Sequence, residues 1–362
     1  MYSICALDDY ASMTKHTKEN DHLRLRKIVE SFPKLTVTVL ADLVADEFVF
    51  GEISRVSREA PVLILTHRDR KVVPGGGANA IYNLADLGVN VLPVGVVGDD
   101  EPGKLLLRAF RHKRIPISGV FKDKSYSTVT KTRILAGFAH TAGQQVVRLD
   151  REPSEGPNAH LRREIVLAAR EFARASDALL VSDYGYGAAT PSLLNAIREK
   201  RGLDKVPVTL DSRHRMLEFS GVTAATPNES EVEEALGIRI GSGNDNDWER
   251  LLAAGDQIAG EMDLESLVIT RGKDGMVVFP RRHKPVDIPI HGSDEVADVT
   301  GAGDTVVATF TAALAAGASA EEAAHLANYA GGIVVMKRGT ATVSQQELLE
   351  ALDKTPPVAR EH

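Results

Sequence analysis

Cysteine is nearly absent: Cys5 is the only one in 362 residues, so no intrachain disulfide can form and a reducing compartment fits. With no glycine-rich or histidine context around it, Cys5 is also a poor nucleophile. Basic runs are missing as well. The net charge is −7, which argues against nucleic acid or an anionic membrane as the main partner, so any phosphate must be met by local groups. Long apolar runs are lacking too: the most apolar helix candidate, 305–318, is too short to span a bilayer and is followed by Glu321 and Glu322. Residues 1–20 mix acids and bases around no apolar core of signal-peptide length, and the expected location is the cytoplasm. Neither an internal repeat nor a low-complexity tract is visible.

A hydrophobic content of 43% over this length suffices for one large α/β domain or two small ones. Leu23, Leu25, Ile28, Val29 and Phe32 are spaced for a short amphipathic helix, and residues 1–34 read as an N-terminal helical extension, an appendage to the domain that begins at residue 35. From residue 35, short β-rich runs (35–41, 91–97, 178–182, 206–211, 222–225, 266–270) alternate with helical stretches (78–87, 103–112, 162–173, 193–200, 248–260). Such alternation predicts an α/β fold with a doubly wound, mostly parallel sheet flanked by helices, and ligands at the carboxyl ends of its strands. Two segments, about 47–74 and 125–150, read as strands without crossover helices and predict a small β-sheet lid over those ends. Strand edges of such a lid need covering, which makes it a candidate homodimer surface. The domain is expected to run over 35–355, with 356–362 as a loose tail.

The most informative stretch is Asp298-Val299-Thr300-Gly301-Ala302-Gly303-Asp304, directly before the apolar run 305–316. A glycine-flanked turn at a helix start presents backbone N–H groups without internal partners, in a place where the helix dipole favours negative charge. Gly301 and Gly303 let a phosphate approach the main chain, and Asp304 falls in the first turn, facing the same space. A carboxylate beside an anion hole makes sense for phosphoryl transfer, with the N–H groups holding the phosphate while Asp304 accepts the proton of an attacking hydroxyl. Alone, the same residues also describe a tight turn whose aspartate caps a helix.

Other motifs fall at predicted strand ends. Asp42 and Asp46 follow the first strand, where an ionised carboxylate can accept hydrogen bonds from sugar hydroxyls; a solvated turn is the alternative for Asp46. Pro74-Gly75-Gly76-Gly77-Ala78-Asn79 opens a helix, with Gly75 and Gly76 permitting close approach and Asn79 able to donate and accept, or serves as a flexible connection. Asn228 and Glu231 share a helix face that suits a hydrated Mg²⁺, or form a dipole-favoured helix start. Thr270 to Gly275, with Gly272 between, suits nucleotide contacts or an ordinary hairpin. One open sheet would gather all of these in a single crevice.

With these residues in hand, the chain resembles the ribokinase or PfkB family of carbohydrate kinases over roughly 35–353. The 298–304 segment resembles the family's D-T-x-G-A-G-D signature, the glycines with Asn79 its first signature, and Asn228 with Glu231 its N-x-x-E magnesium motif. The resemblance implies a ribokinase-like fold and ATP and Mg²⁺ as cofactors. It also implies Asp304 as general base, Gly301, Ala302 and Gly303 as anion hole, Asp46 and Asn79 as sugar contacts, and Thr270 to Gly275 with Asn328 in the ATP region.

Within that family, Arg55 to Val62 looks like the R-I-S-P-E-A-P-V of heptose-7-phosphate kinases of the ADP-heptose pathway. Thr130 to Arg133, Gln144 to Asp150, Val181-Ser182-Asp183-Tyr184 and Gly339 to Ser344 are similar to their patterns too. Such enzymes phosphorylate O1 of a heptose 7-phosphate, which implies Lys131, Arg133 and Arg148 as partners of the second phosphate and Asp183 as a substrate contact. Departures are Ala41 before Asp42, Arg58 in the lid motif, Tyr186 where lysine is usual, and Ser212-Arg213 in place of Pro-Lys. The expected function is thus an ATP-dependent sugar or sugar-phosphate kinase; a kinase for another sugar or a nucleoside, and a non-catalytic sensor, are the alternatives.

Overall fold

The computed structural model describes residues 21–137, 144–199, 206–241, 246–292, 298–337 and 339–354. Cys5, residues 1–20 and the tail 356–362 lie outside them. A central sheet of nine strands follows the order β13-β12-β11-β10-β9-β8-β1-β4-β5. Its strands are β1 (Thr36–Ala41), β4 (Asn90–Gly98), β5 (Gly119–Asp123), β8 (Ala178–Asp183), β9 (Val208–Ser212), β10 (Ala224–Ala225), β11 (Ser266–Thr270), β12 (Met276–Pro280) and β13 (Val286–Ile288). All pairs are parallel except β11 with β12 and β12 with β13. This antiparallel edge, strand β5 and the shortness of β10 are details the alternation of runs does not reveal.

Parallel strands buried on both faces carry apolar side chains on both, and β1 shows it: Val37, Val39 and Ala41 enter one cluster while Leu40 enters the other. Helices α4 (Ala159–Arg174), α5 (Pro191–Arg198), α6 (Glu229–Leu236) and α7 (Asp247–Glu261) cover one face. On the other lie α1 (21–31), α2 (Gly77–Asp86), α3 (Glu101–His112), α8 (Ala302–Ala315), α9 (Ala320–Val335) and α10 (Gln345–Lys354). Side chains cap many of the starts: Asp100, Asn158, Thr190, Asn228 and Ser319 each accept from a backbone N–H of the first turn. None of these helices is long and apolar enough to cross a membrane.

A second sheet, in the order β3-β2-β6-β7, is made by β2 (Leu43–Val56), β3 (Leu63–Gly76), β6 (Val129–Gly137) and β7 (Gln144–Arg151). Only Asp42 separates β1 from β2, so the chain passes from core sheet to lid sheet within one residue. The parallel register sets Asp46 opposite Lys131 and Phe48 opposite Arg133. With a side-chain period of two, these four residues share one face of the lid.

The appendage expected over 1–34 is corrected in its described part. Leu25, Ile28, Val29 and Phe32 are buried in the main cluster, because α1 presents its apolar stripe to the same layer as α9 and α10. Arg24 pairs with Glu322 on α9, and Arg26 with Asp353 on α10 at 2.7 Å. Phe32, with no exposed surface, anchors the segment. Phe32→Ala is expected to cost about 3–5 kcal/mol, the range for a buried aromatic truncated to alanine. Urea unfolding measures it, and a loss below about 1 kcal/mol would return the segment to appendage status.

Candidate active site

Asp42 accepts hydrogen bonds from the N–H groups of Tyr184 (3.0 Å), Tyr186 (2.9 Å) and Ala188 (2.8 Å). It is fully buried. Burial pushes its carboxyl up to about 6, against the pull of those three N–H groups. The sugar-acceptor role considered for Asp42 is therefore corrected, since its acceptors are committed to holding the loop after β8. That loop delivers Tyr184, whose hydroxyl donates to Asp304 Oδ1 at 2.7 Å.

Asp304, in the first turn of α8, exposes only 4% of its surface. Its second oxygen accepts from Asn79 Nδ2 at 2.9 Å, reaching across from the start of α2. Burial raises its pKa to about 7; the hydrogen bonds from Asn79 and Tyr184 oppose that rise, Asp46 adds to it and Lys131 lowers it. Such a value near neutrality is not legible in the motif itself. Gly301 adopts φ +82°, and a Cβ there would lie 2.5 Å from Asn79 Nδ2, so glycine is needed both for the left-handed turn and for the approach of α2. Asn83, unforeseen in the sequence, links the same helices by accepting from the Thr305 hydroxyl at 3.0 Å.

The row of N–H groups at the start of α8 is shorter than expected. Ala302 N–H donates back to the Val299 carbonyl at 3.2 Å, which leaves those of Gly303 and Asp304 without a partner among the described residues. Asp298 steadies the turn by accepting from the N–H groups of Thr300 (2.9 Å) and Gly339 (3.0 Å).

On the lid side, Asp46 is buried, accepting from Arg133 Nη1 at 2.6 Å and from the Thr340 hydroxyl at 3.1 Å. A Cβ on Gly75 would overlap the Asp46 carboxylate, and one on Gly76, at φ +51°, would come within 2.8 Å of Val44. The glycines thus admit the carboxylate as well as any ligand. Arg133 is engaged with Asp46 and stacks over Phe48 at 5.5 Å, and Arg148 pairs with Asp150 at 2.9 Å. Of the three lid cations assigned by resemblance to a second phosphate, only Lys131 lacks a carboxylate partner among the described residues.

A cavity of about 180 Å³ beside Asp304 is lined by Asp183, Tyr184, Asp211, Arg213, Thr226, Asn228, Glu231 and Thr270, along with Gly301 and Gly303. Asn228 and Glu231 form the capping box of α6: Glu231 N–H donates to Asn228 Oδ1 and Asn228 N–H to Glu231 Oε2, both at 2.9 Å. Glu231 still faces the cavity, and burial raises its pKa. Asp211, missed in the sequence, stands beside it with a carboxyl held well above the usual range by burial and by the charges of Glu231 and Asp304. Its position near the carboxyl end of a core strand, where ligands of such sheets gather, was the available signal.

Asp183, expected as a substrate contact, lines the same cavity and is firmly held there. Each of its oxygens already accepts two bonds, from Gly185 N–H and Arg215 Nη2, and from Ser212 Oγ and Arg215 Nε. Gly272 and Gly275, at φ +57° and +81°, shape the tight β11–β12 connection, and a Cβ on Gly275 would overlap the Ile288 carbonyl. Of that stretch Thr270 alone reaches the cavity. Asn328 lies on α9, outside the cavity lining, and its Nδ2 donates to the Pro289 carbonyl at 2.7 Å.

A doubly wound sheet with a lid, and a near-neutral carboxylate at a helix start between lid and cavity, describe a phosphotransferase of the carbohydrate-kinase class. The sequence profile of the pfkB family of carbohydrate kinases matches residues 44–347, and the chain belongs to that family. It is 41% identical over 332 residues to the bifunctional protein HldE of Geobacter metallireducens, and 35% identical over 332 residues to that of Gluconobacter oxydans. These alignments cover 90% and 91% of this chain, which spans 66% and 67% of the two relatives. Among solved structures, Arabidopsis thaliana ribokinase complexed with ribose and ATP superposes with a TM-score of 0.66 at 20% identity, over 88% of this chain and 98% of that one. Escherichia coli phosphofructokinase-2 in complex with fructose-6-phosphate does so with 0.70 at 16%, again over 88% and 98%. These two likenesses establish the ribokinase-like fold.

Because the Tyr184 hydroxyl stabilises the ionised form of Asp304, Tyr184→Phe is expected to raise the Asp304 pKa further, by about one unit for one hydrogen bond to a charged group. Carboxyl-carbon NMR titration reads it directly. An unmoved or lowered midpoint would contradict the hydrogen bond.

Proposed function

We propose that this chain is an ATP-dependent kinase that phosphorylates O1 of a heptose 7-phosphate to give heptose 1,7-bisphosphate. The observation that carries the kinase chemistry is Asp304, buried at the start of α8 with a pKa of about 7, between Asp46 and Asn79 on one side and the cavity beneath α6 on the other. The heptose assignment rests on the lid and strand-end patterns shared with that subfamily.

In this reading the sugar lies under the lid against Gly75, Gly76 and Asn79, and Asp46 accepts from its hydroxyls once Arg133 and Thr340 share their bonds. Asp304 accepts the proton of the attacking hydroxyl. The unpartnered N–H groups of Gly303 and Asp304 face the transferring phosphoryl group, each good donor being worth on the order of 10²–10³ in rate. ATP extends from there past Thr270 and the Gly272–Gly275 turn toward Asn328.

The cavity suits Mg²⁺. Thr226 Oγ1 is buried there without a partner, and Asp211 and Glu231 are excess carboxylates. Among the described residues no three His, Cys, Asp or Glu side chains stand ready to ligate a metal directly, in keeping with an ion that retains several waters. Bound near Asn228 and Glu231, Mg²⁺ would screen the nucleotide's phosphate charge. A homodimer through the lid agrees with β7, an edge strand exposed throughout, carrying Val146, Val147 and Leu149 toward solvent. A single cysteine agrees with a cytoplasmic setting.

MgATP-dependent ADP release against heptose 7-phosphate, heptose, ribose, fructose, fructose 6-phosphate and nucleosides tests the assignment. Selective turnover of heptose 7-phosphate is expected; preference for another acceptor would keep the kinase and discard the heptose. Asp304→Asn should cut kcat by roughly 10²–10⁴ while nucleotide binding persists. Because the carboxylate must be ionised to accept a proton, kcat/KM of the native enzyme should fall as pH drops below about 7. A rate for Asp304→Asn within a few-fold of the native one, or a flat acid limb, would remove Asp304 from the role of base.

A further inference from the structure

Two cations in this site have no carboxylate partner among the described residues, and both stand over the same ring. Lys131 Nζ lies 5.1 Å from the centroid of Tyr184, and the Arg213 guanidinium 5.8 Å from it. Lys131 exposes only 8% of its surface. Burial lowers its affinity for a proton, Arg213 lowers it further by repulsion, and Asp46 and Asp150, which make no ion pair with it, offset part of that loss. A cation–π contact is weaker than the penalty for removing an ammonium from water, so the ring and carboxylates beyond ion-pair distance leave a buried lysine facing a second cation short of direct neutralisation. An anion between them would supply it.

Their placement says which anion. Arg213 lines the cavity that holds Gly303, Asp304, Asp211 and Glu231, and it is the one cation among the lining residues. Lys131 comes from the other side, on lid strand β6 directly opposite Asp46. Between them, Tyr184 donates to Asp304 at 2.7 Å. The two cations therefore bracket the space where an acceptor hydroxyl on Asp304 must meet a phosphoryl donor. Without them, the carboxylates of Asp211, Glu231 and Asp304 would repel that donor.

We propose that Arg213 and Lys131 close on the transferring phosphoryl group from opposite sides, Arg213 from the nucleotide cavity and Lys131 from the lid. This rests on the kinase reading above, though not on which sugar is the acceptor. In the step they serve, the acceptor oxygen forms a bond to the γ-phosphorus as the bond from that phosphorus to the β–γ bridging oxygen breaks. The electron pair of the broken bond leaves with ADP, the hydroxyl proton passes to Asp304, and the two cations neutralise the non-bridging oxygens.

The test uses the full chain with Arg213→Met, Lys131→Met and Arg213→Lys, each checked for an unchanged unfolding transition. With whichever panel sugar the native enzyme turns over, Arg213→Met should lower kcat by roughly 10²–10³ and Lys131→Met by roughly 10–100, while MgADP affinity stays within about threefold. Arg213→Lys should recover at least about tenfold, since a point charge without the fork keeps part of the attraction. The complex of MgADP, sugar and aluminium fluoride, a mimic of the group in flight, should weaken by the same factors as kcat.

A kcat within about threefold of native for both Met variants would overturn the proposal. So would a defect confined to the KM of phosphorylated acceptors, which would assign the pair to the substrate's own phosphate. Native enzyme that binds MgADP yet turns over no sugar would sink the kinase reading instead; the aluminium fluoride arm, run with MgADP alone, would still report on the two cations.

Discussion

One buried carboxylate organises this molecule. Asp42 is the only residue between a strand of the core sheet and a strand of the lid, and its two oxygens bind three backbone N–H groups of the loop after β8. An ionised carboxylate out of water must find such donors. By finding them in a neighbouring loop it fixes where Tyr184 stands, and Tyr184 in turn meets Asp304. The lid hinge, the loop and the carboxylate at the helix start are therefore parts of one hydrogen-bonded assembly.

Around that assembly the charges are arranged by need. Some carboxylates are held by several donors, as Asp183 is by Arg215 and Asp298 by two N–H groups. Others face the crevice and crowd one another: Asp211 beside Glu231, and Asp304 with its hydrogen bonds from Asn79 and Tyr184. Burial raises their pKa values, and neighbouring carboxylates add to the rise at Asp211 and Asp304. The same sorting separates the cations. Arg133, Arg148 and Arg215 are in ion pairs, whereas Lys131 and Arg213 make none among the described residues.

Much of the fold was legible in the chain. Apolar runs long enough for strands or helices, alternating through 35–353, impose a parallel sheet covered on both faces, and the two extended segments without crossover helices mark the lid. The antiparallel strands β12 and β13 were not legible, because a short apolar run at a sheet edge has no periodicity of its own. Nor was the docking of α1, since an amphipathic stripe announces a buried face without naming what buries it. In the site, Asp304, Asn79, Asp46 and Glu231 could be singled out from glycine turns and strand ends. Asn83 could not, having no turn chemistry around it, and Asp211 offered only its place near a strand end.

The amino-acid sequence by itself determined the layers, the glycine turns with their positive φ angles, and the residue types that face the crevice, because backbone sterics and the period of apolar residues act locally. Only the tertiary structure decided which of those residues are free. Whether an aspartate is a bound strut or an exposed base, and whether a lysine is neutralised or left seeking an anion, depends on donors and charges brought from strands and helices far away in the chain. That is why Arg133 is ion-paired with Asp46, Arg213 and Lys131 make no ion pair among the described residues, and Asp304 is poised near neutrality.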